Sequence, residues 1–193
     1  MIKAIILDCF GVLVGRGFEE TYRTAGGDPE ADRDFIDDIL GQTNLGLINQ
    51  AEFNSSMAAK LGISEAQWQD TLDKVERPNM ELLDYAKSLR KDYKLAVLSN
   101  ANRGLIEYIE SIGGENCFDE VIVSAEVGMI KPNSEIYEYT AEKLGVKPDE
   151  CIFIDDREVH LAGAETVGMQ TILYKDFAQT KAELDKLLVS SQT

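Results

Sequence analysis

The stretch Ile5-Ile6-Leu7-Asp8-Cys9-Phe10-Gly11-Val12-Leu13-Val14 decides how the rest of the chain is read. A short apolar run, Ile5 to Leu7, delivers a single carboxylate at Asp8, with no acid beside it and a phenylalanine two residues on. Such runs are the mark of a strand buried on both faces. A carboxylate at the end of one is costly unless a partner meets it there. Asp8 therefore asks what the rest of the chain brings to that strand end.

From Lys94 onward the same kind of run recurs, each followed by a helical pattern. KLAVLS (94–99) precedes a helix with the expected apolar stripe Leu105, Ile106, Ile109 and Ile112, closed by Gly113 and Gly114. EVIVS (120–124) precedes one with Ile136, Tyr137, Thr140, Ala141 and Leu144 on one face, ending at Gly145. CIFID (151–155) precedes a helix ending at Gly168, and QTILY (170–174) a last helix to about Leu188. Strand runs alternating with amphipathic helices predict an α/β fold, a doubly wound, Rossmann-like parallel sheet.

Residues 15–79 break that alternation and read as wholly helical. Phe53, Met57 and Leu61 form one stripe, with Gly62 as its C-cap, and Ser64 to Gln67 reads as a capping box before Trp68, Thr71, Leu72 and Val75. Arg77-Pro78-Asn79 marks the return. The expected organisation is an α/β core, 1–14 and 80–193, with a small all-helical cap inserted at 15–79.

Ligands of open α/β sheets bind beyond the carboxyl ends of the strands. There the first strand ends in Asp8, the second in Ser99 and Asn100; the third is followed by Lys131, and the fourth ends in Asp155 and Asp156. Each has an ordinary explanation alone, as a cap, a turn residue or surface charge. At four successive strand ends they form a set suited to phosphoryl transfer. Clustered carboxylates repel unless a hard cation joins them, and Mg²⁺ favours one or two carboxylates, water and substrate phosphate. Asp8 has the chemistry to attack phosphorus and form an aspartyl-phosphate.

Composition narrows the partners. The net charge of −16 argues against nucleic acid and anionic membranes. No apolar run approaches the ~20 residues of a membrane span, and Asp8 interrupts any signal-peptide pattern, so a cytosolic, cytoplasmic protein is expected. The three cysteines, Cys9, Cys117 and Cys151, lack metal-ligand spacing and read as buried reduced thiols. The acidic run from Asp28 to Asp38 reads as a solvated helix face.

The ordered motifs Asp8–Leu13, Ser99–Asn100, Lys131–Pro132 and Asp155–Asp156 resemble those of the haloacid dehalogenase-like hydrolase superfamily. GMIKPNSEIYE and CIFIDDRE are similar to its glucose-1-phosphate phosphatase-like and epoxide-hydrolase N-terminal-domain-like branch, which has a small helical cap. The resemblance covers Met1 to about Tyr174. It implies a nucleophile at Asp8, catalytic and phosphate contacts from Lys131, further substrate contacts from Ser99 and Asn100, and Mg²⁺ held by Asp8, the Phe10 carbonyl, Asp156 and Asp155.

Two residues depart from that family's pattern. A typical member carries a second Asp two residues after the nucleophile, which protonates the leaving group; here Phe10 stands there. Four residues after Asp156, where the family often has Asp or Asn, this chain has its one histidine, His160, which either replaces the missing acid or packs at a helix start. Three functions follow. The favoured one is a Mg²⁺-dependent phosphatase of a small phosphorylated metabolite. The others are a 2-haloacid dehalogenase, which Phe10 suits but the acidic pair opposes, and a catalytically impaired binding module.

Overall fold

The computed structural model describes residues 1–15 and 17–190, and all counts below refer to these. Strand β1 (Ala4–Leu7) lies at the centre of a five-stranded parallel sheet. It pairs with β2 (Lys94–Ser99) on one side and β4 (Cys151–Asp155) on the other. Strands β3 (Glu120–Val123) and β5 (Gln170–Leu173) form the edges, giving the order β3-β2-β1-β4-β5. The chain winds outward from β1 through β2 to β3, then crosses back to β4. The direction of winding thus reverses beside β1, and a crevice opens beyond its carboxyl end.

The two-residue period of the strands sorts their side chains between two cores. Ile5, Leu7, Val97, Ile152 and Ile154 face one layer with Leu82 and Leu83 of α5 (Met80–Leu89), Leu105 of α6 (Leu105–Ile109) and Leu184 of α10 (Phe177–Ser190). Ala4, Ile6, Leu98 and Phe153 face the other, with Ile136 and Tyr137 of α8 (Ser134–Leu144) and Leu161 and Ala164 of α9 (Glu158–Thr166). Burial on both faces explains why the strands read as unbroken apolar runs.

Between β1 and α5 the chain forms α1 (Phe18–Thr24), α2 (Arg33–Asn44), α3 (Gln50–Leu61) and α4 (Glu65–Val75). They enclose a third core of Tyr22, Ile36, Phe53, Met57 and Trp68. Ser64 caps α4 with a reciprocal bond to Gln67, as its sequence predicts, and Gly62 closes α3 in the left-handed conformation. A short α7 (Ser124–Val127), which the strand-like reading of EVIVS did not anticipate, follows β3 directly. The stripe expected after β2 is also corrected: Ile106 is 37% exposed. The buried face of the α-helix there is set by Leu105 and Ile109, with Ile106 at its margin; the helix ends at Ile109 and passes into a wider turn in which Gly113 has φ 88°.

No described helix is long and apolar enough to cross a membrane. All three cysteines are buried and free. The acidic run from Asp28 is less uniform than a solvated face, because Asp32 accepts from Tyr22 Oη at 2.8 Å and pairs with Lys60 at 2.7 Å.

Candidate active site

Asp8 leaves the sheet one residue after β1. Its N–H still donates to Ile154 O (2.9 Å), and its Oδ1 accepts from the next amide, Cys9 N–H, at 2.7 Å. The carboxylate is thereby fixed facing the crevice. Lys131, fully buried, reaches it from the loop before α8: Nζ lies 2.9 Å from Asp8 Oδ1 and 2.7 Å from Asp155 Oδ2, and donates to Leu98 O at 3.1 Å. All three ammonium hydrogens are therefore used.

The backbone of Lys131 is held as closely as its side chain. Asn100 Nδ2 donates to Lys131 O and its Oδ1 accepts from Lys131 N–H, both at 2.9 Å. Gly163 on α9 lets the loop lie close, since a Cβ there would meet Pro132 O at 2.3 Å. The amide of Asn100 is committed to clasping the lysine, a use that its position at a strand end did not disclose. Ser99, the last residue of β2, is buried and lines the cavity.

Asp155 is completely buried, and protein donors meet both its oxygens. Lys131 binds Oδ2, Arg157 N–H donates to Oδ1 at 2.9 Å, and His160 Nδ1 lies 3.0–3.1 Å from the pair. Burial alone would raise its pKa, but Lys131 and His160 outweigh that and hold it below the ordinary carboxylate range. Asp8 goes the other way. Burial, only partly offset by Lys131, pushes it up to about 7. Asp156, half-buried, is raised by desolvation and by its neighbour Asp155. Lys131 stays protonated because Asp8 and Asp155 outweigh the cost of its burial.

His160 stands on the first turn of α9, with its backbone carbonyl accepting from Tyr137 Oη at 2.7 Å. Burial lowers its pKa despite the bond to Asp155. Phe10 is packed against Tyr108, ring centroids 6.4 Å apart and nearly parallel. Most of the residues singled out in the sequence come together: Asp8, Phe10, Ser99, Asn100, Lys131 and Asp156 all line one cavity of about 500 Å³. Asp155 lies beneath it, against Lys131. The inserted helices roof it with Phe18, Arg23, Phe53 and Trp68. Gln50 on α3 accepts from Asn102 Nδ2, and Ser124 Oγ donates to Asn44 O at 2.6 Å, tying that roof to the sheet.

Sequence reading passed over Glu76, which also lines the cavity. Its one visible signal is an acid placed immediately before the Arg-Pro-Asn return.

The fold and the site together define a doubly wound α/β enzyme whose centre is a cluster of carboxylates around one buried lysine. The chain belongs to the haloacid dehalogenase-like hydrolase family, whose model matches residues 2–168. It is similar to the D-ribitol-5-phosphate phosphatase of Bacteroides thetaiotaomicron, 26% identical over 207 residues, covering 98% of this chain and 100% of that protein. A crystal structure of a HAD-family enzyme from the same organism, complexed with magnesium and inorganic phosphate, superposes with a TM-score of 0.74 at 26% identity, covering 93% of this chain and 99% of that one. The chain is also 44% identical over 70 residues to bifunctional epoxide hydrolase 2 of Rattus norvegicus. That match spans 36% of this chain and only 13% of the rat protein's length.

Proposed function

We propose that the chain is a Mg²⁺-dependent phosphatase that hydrolyses a small phosphorylated metabolite through an aspartyl-phosphate at Asp8. One observation carries this reading: Asp8 faces the cavity with its carboxylate 2.9 Å from the buried Lys131 ammonium. The similarity to a sugar-alcohol phosphatase along the whole chain supports it, as does the fold shared with an enzyme bound to magnesium and phosphate.

The donor set fits a divalent cation. Three carboxylates, Asp8, Asp155 and Asp156, surround one ammonium, which leaves two negative charges uncompensated when all are ionised. Burial raises the pKa of Asp8 and Asp156, the two acids with least cationic support. A cation of charge two removes that imbalance. Asp8, Asp156 and the Phe10 carbonyl are the proposed ligands. Asp155 is grouped with Asp8 and His160 by the proximity of their ligand atoms. Its oxygens are already met by Lys131, His160 and a backbone amide, which favours a role as counter-ion over the direct metal contact that the resemblance implies. Bound Mg²⁺ would supply Lewis-acid neutralisation of the phosphoryl oxygens.

The remaining chemistry belongs to the chain. An Asp8 oxygen attacks phosphorus while the bond to the leaving oxygen breaks. Ser99 meets the non-bridging oxygens and Lys131 offsets their charge, while Asn100 holds the Lys131 backbone and His160 steadies its counter-ion Asp155. Water then attacks phosphorus, restoring Asp8 and releasing phosphate. Residues 15–79 act as a cap that closes the cavity and selects the substrate. The free buried cysteines suit a reducing, cytoplasmic setting.

Assay of phosphomonoesters and 2-haloacids with and without Mg²⁺ tests the proposal. Phosphate release that chelation abolishes is expected. Metal-independent halide release would favour the dehalogenase, and turnover of neither class would favour a binding module.

A further inference from the structure

In this chain the residue two after the nucleophile is Phe10, which has no proton to give. His160 also lines the cavity, but its Nδ1 is held by Asp155 and burial lowers its pKa, so it holds a transferable proton less readily. Another group that lines the cavity and carries an exchangeable proton is Glu76, at the C-terminus of α4 where the inserted helices return to the core.

Its backbone is fixed against the loop that carries Phe10. The return segment runs along the loop after β1: Gly15 N–H donates to Arg77 O at 2.9 Å, and Val14 bridges to Pro78. A Cβ on Gly15 would lie 3.1 Å from the Glu76 Cα. Tyr108, which stacks on Phe10, donates its hydroxyl to Glu76 O at 3.5 Å. Among the described residues no hydrogen bond or ion pair holds the Glu76 carboxyl, in contrast to the fully engaged Asp155. The titratable groups around it are Asp73 on α4, Tyr108 on α6 and Cys9 after β1. Arg77 is its chain neighbour. Burial first, and then Asp73, push the Glu76 carboxyl up to about 7, so it carries a proton over much of the working range.

We propose that Glu76 is the general acid and base of the reaction, taking the place that Phe10 has vacated. The inference rests on the phosphatase reading and adds to it a substrate class: alkyl phosphates, whose leaving oxygen needs a proton. As Asp8 bonds to phosphorus, the electron pair of the breaking P–O bond passes to the leaving oxygen. That oxygen takes the Glu76 proton and departs as an alcohol. The Glu76 carboxylate then accepts a proton from the water attacking the aspartyl-phosphate, which restores both acids and releases inorganic phosphate.

The test compares D-ribitol 5-phosphate, an alkyl ester, with 4-nitrophenyl phosphate, whose leaving group departs as an anion, on the Mg²⁺-loaded enzyme. Glu76→Gln is expected to lose ~10²–10⁴ in kcat/KM on the alkyl ester and far less on the aryl ester. It is also expected to abolish a fall in the alkyl kcat/KM as pH rises through about 7. Calorimetry with Mg²⁺ checks that the variant is folded and loaded. Equal losses on both esters would mark a structural role and overturn the inference, as would no loss on either. If the variant does not fold, the wild type and Glu76→Asp decide. Identical wild-type profiles then refute the assignment, and a high-pH fall with the alkyl ester alone upholds it only if Glu76→Asp, which keeps the carboxyl, retains that fall and an intermediate rate. A wild type inactive on both esters with Mg²⁺ defeats the phosphatase reading itself and this inference with it.

Discussion

Lys131 is the residue on which the site turns, because three acidic or carbonyl partners consume every hydrogen it has. A buried ion cluster stands only while its charges are matched, and removing one partner commonly costs about 3–5 kcal/mol. Lys131→Met keeps most of the unbranched apolar stem but leaves Asp8 and Asp155 facing each other without the ammonium. Urea unfolding is expected to register a loss of that size, about 3–5 kcal/mol, together with loss of turnover. Asp8→Asn separates the two effects. The amide keeps the size and much of the hydrogen bonding but removes the attacking charge. Activity is expected to vanish in steady-state assays while the unfolding midpoint stays within a few degrees of wild type or rises. Retention of most activity would remove covalent catalysis from the account.

At the scale of elements, the turn after β1 joins Asp8 to the rest of the acidic cluster. Gly11 adopts φ +92° and approaches Asp156 so closely that a Cβ would stand 2.3 Å from its Oδ2. Gly11→Ala is therefore expected to displace Asp156 and weaken Mg²⁺ uptake in calorimetry by tenfold or more, roughly one misplaced ligand's worth. Wild-type affinity in that variant would take Asp156 out of the metal site. The roof has its own supports. Ser64 accepts from Gln67 N–H at 3.2 Å to start α4, and Ser64→Ala should cost about 1 kcal/mol of stability in thermal unfolding. The inserted helices and the strand runs were legible in the sequence because their signals are local: a capping box, a C-terminal glycine, an apolar run. The turn to α7 and the exposure of Ile106 were not, since each depends on where the following segment docks.

The whole molecule solves the problem that its composition sets. A chain of net charge −16 repels anions, so the phosphorylated substrate proposed above would need local positive charge, from Lys131 and a bound cation. By ordering its strands, the sheet brings residues far apart in the chain, Asp8, Ser99, Lys131 and Asp155, to one end of the sheet, where the acids that would hold a cation stand beside the buried ammonium. That convergence could be read from strand ends, because a parallel sheet aligns its carboxyl termini on one edge. Other features could not be read. The clasp of Asn100 on Lys131 spans 31 residues, and the exposure of Glu76 to the cavity depends on how the helical insertion returns to the sheet. Neither leaves a local pattern.

The central claim is that Asp8 becomes phosphorylated during Mg²⁺-dependent turnover. The most direct measurement quenches the enzyme in acid during turnover of a phosphomonoester, reduces it with borohydride and sequences the peptides by mass spectrometry. Reduction of an aspartyl-phosphate leaves homoserine, so homoserine is predicted at position 8, only when Mg²⁺ and substrate are both present and never in Asp8→Asn. Steady phosphate release from an enzyme whose Asp8 emerges unreduced would contradict the account.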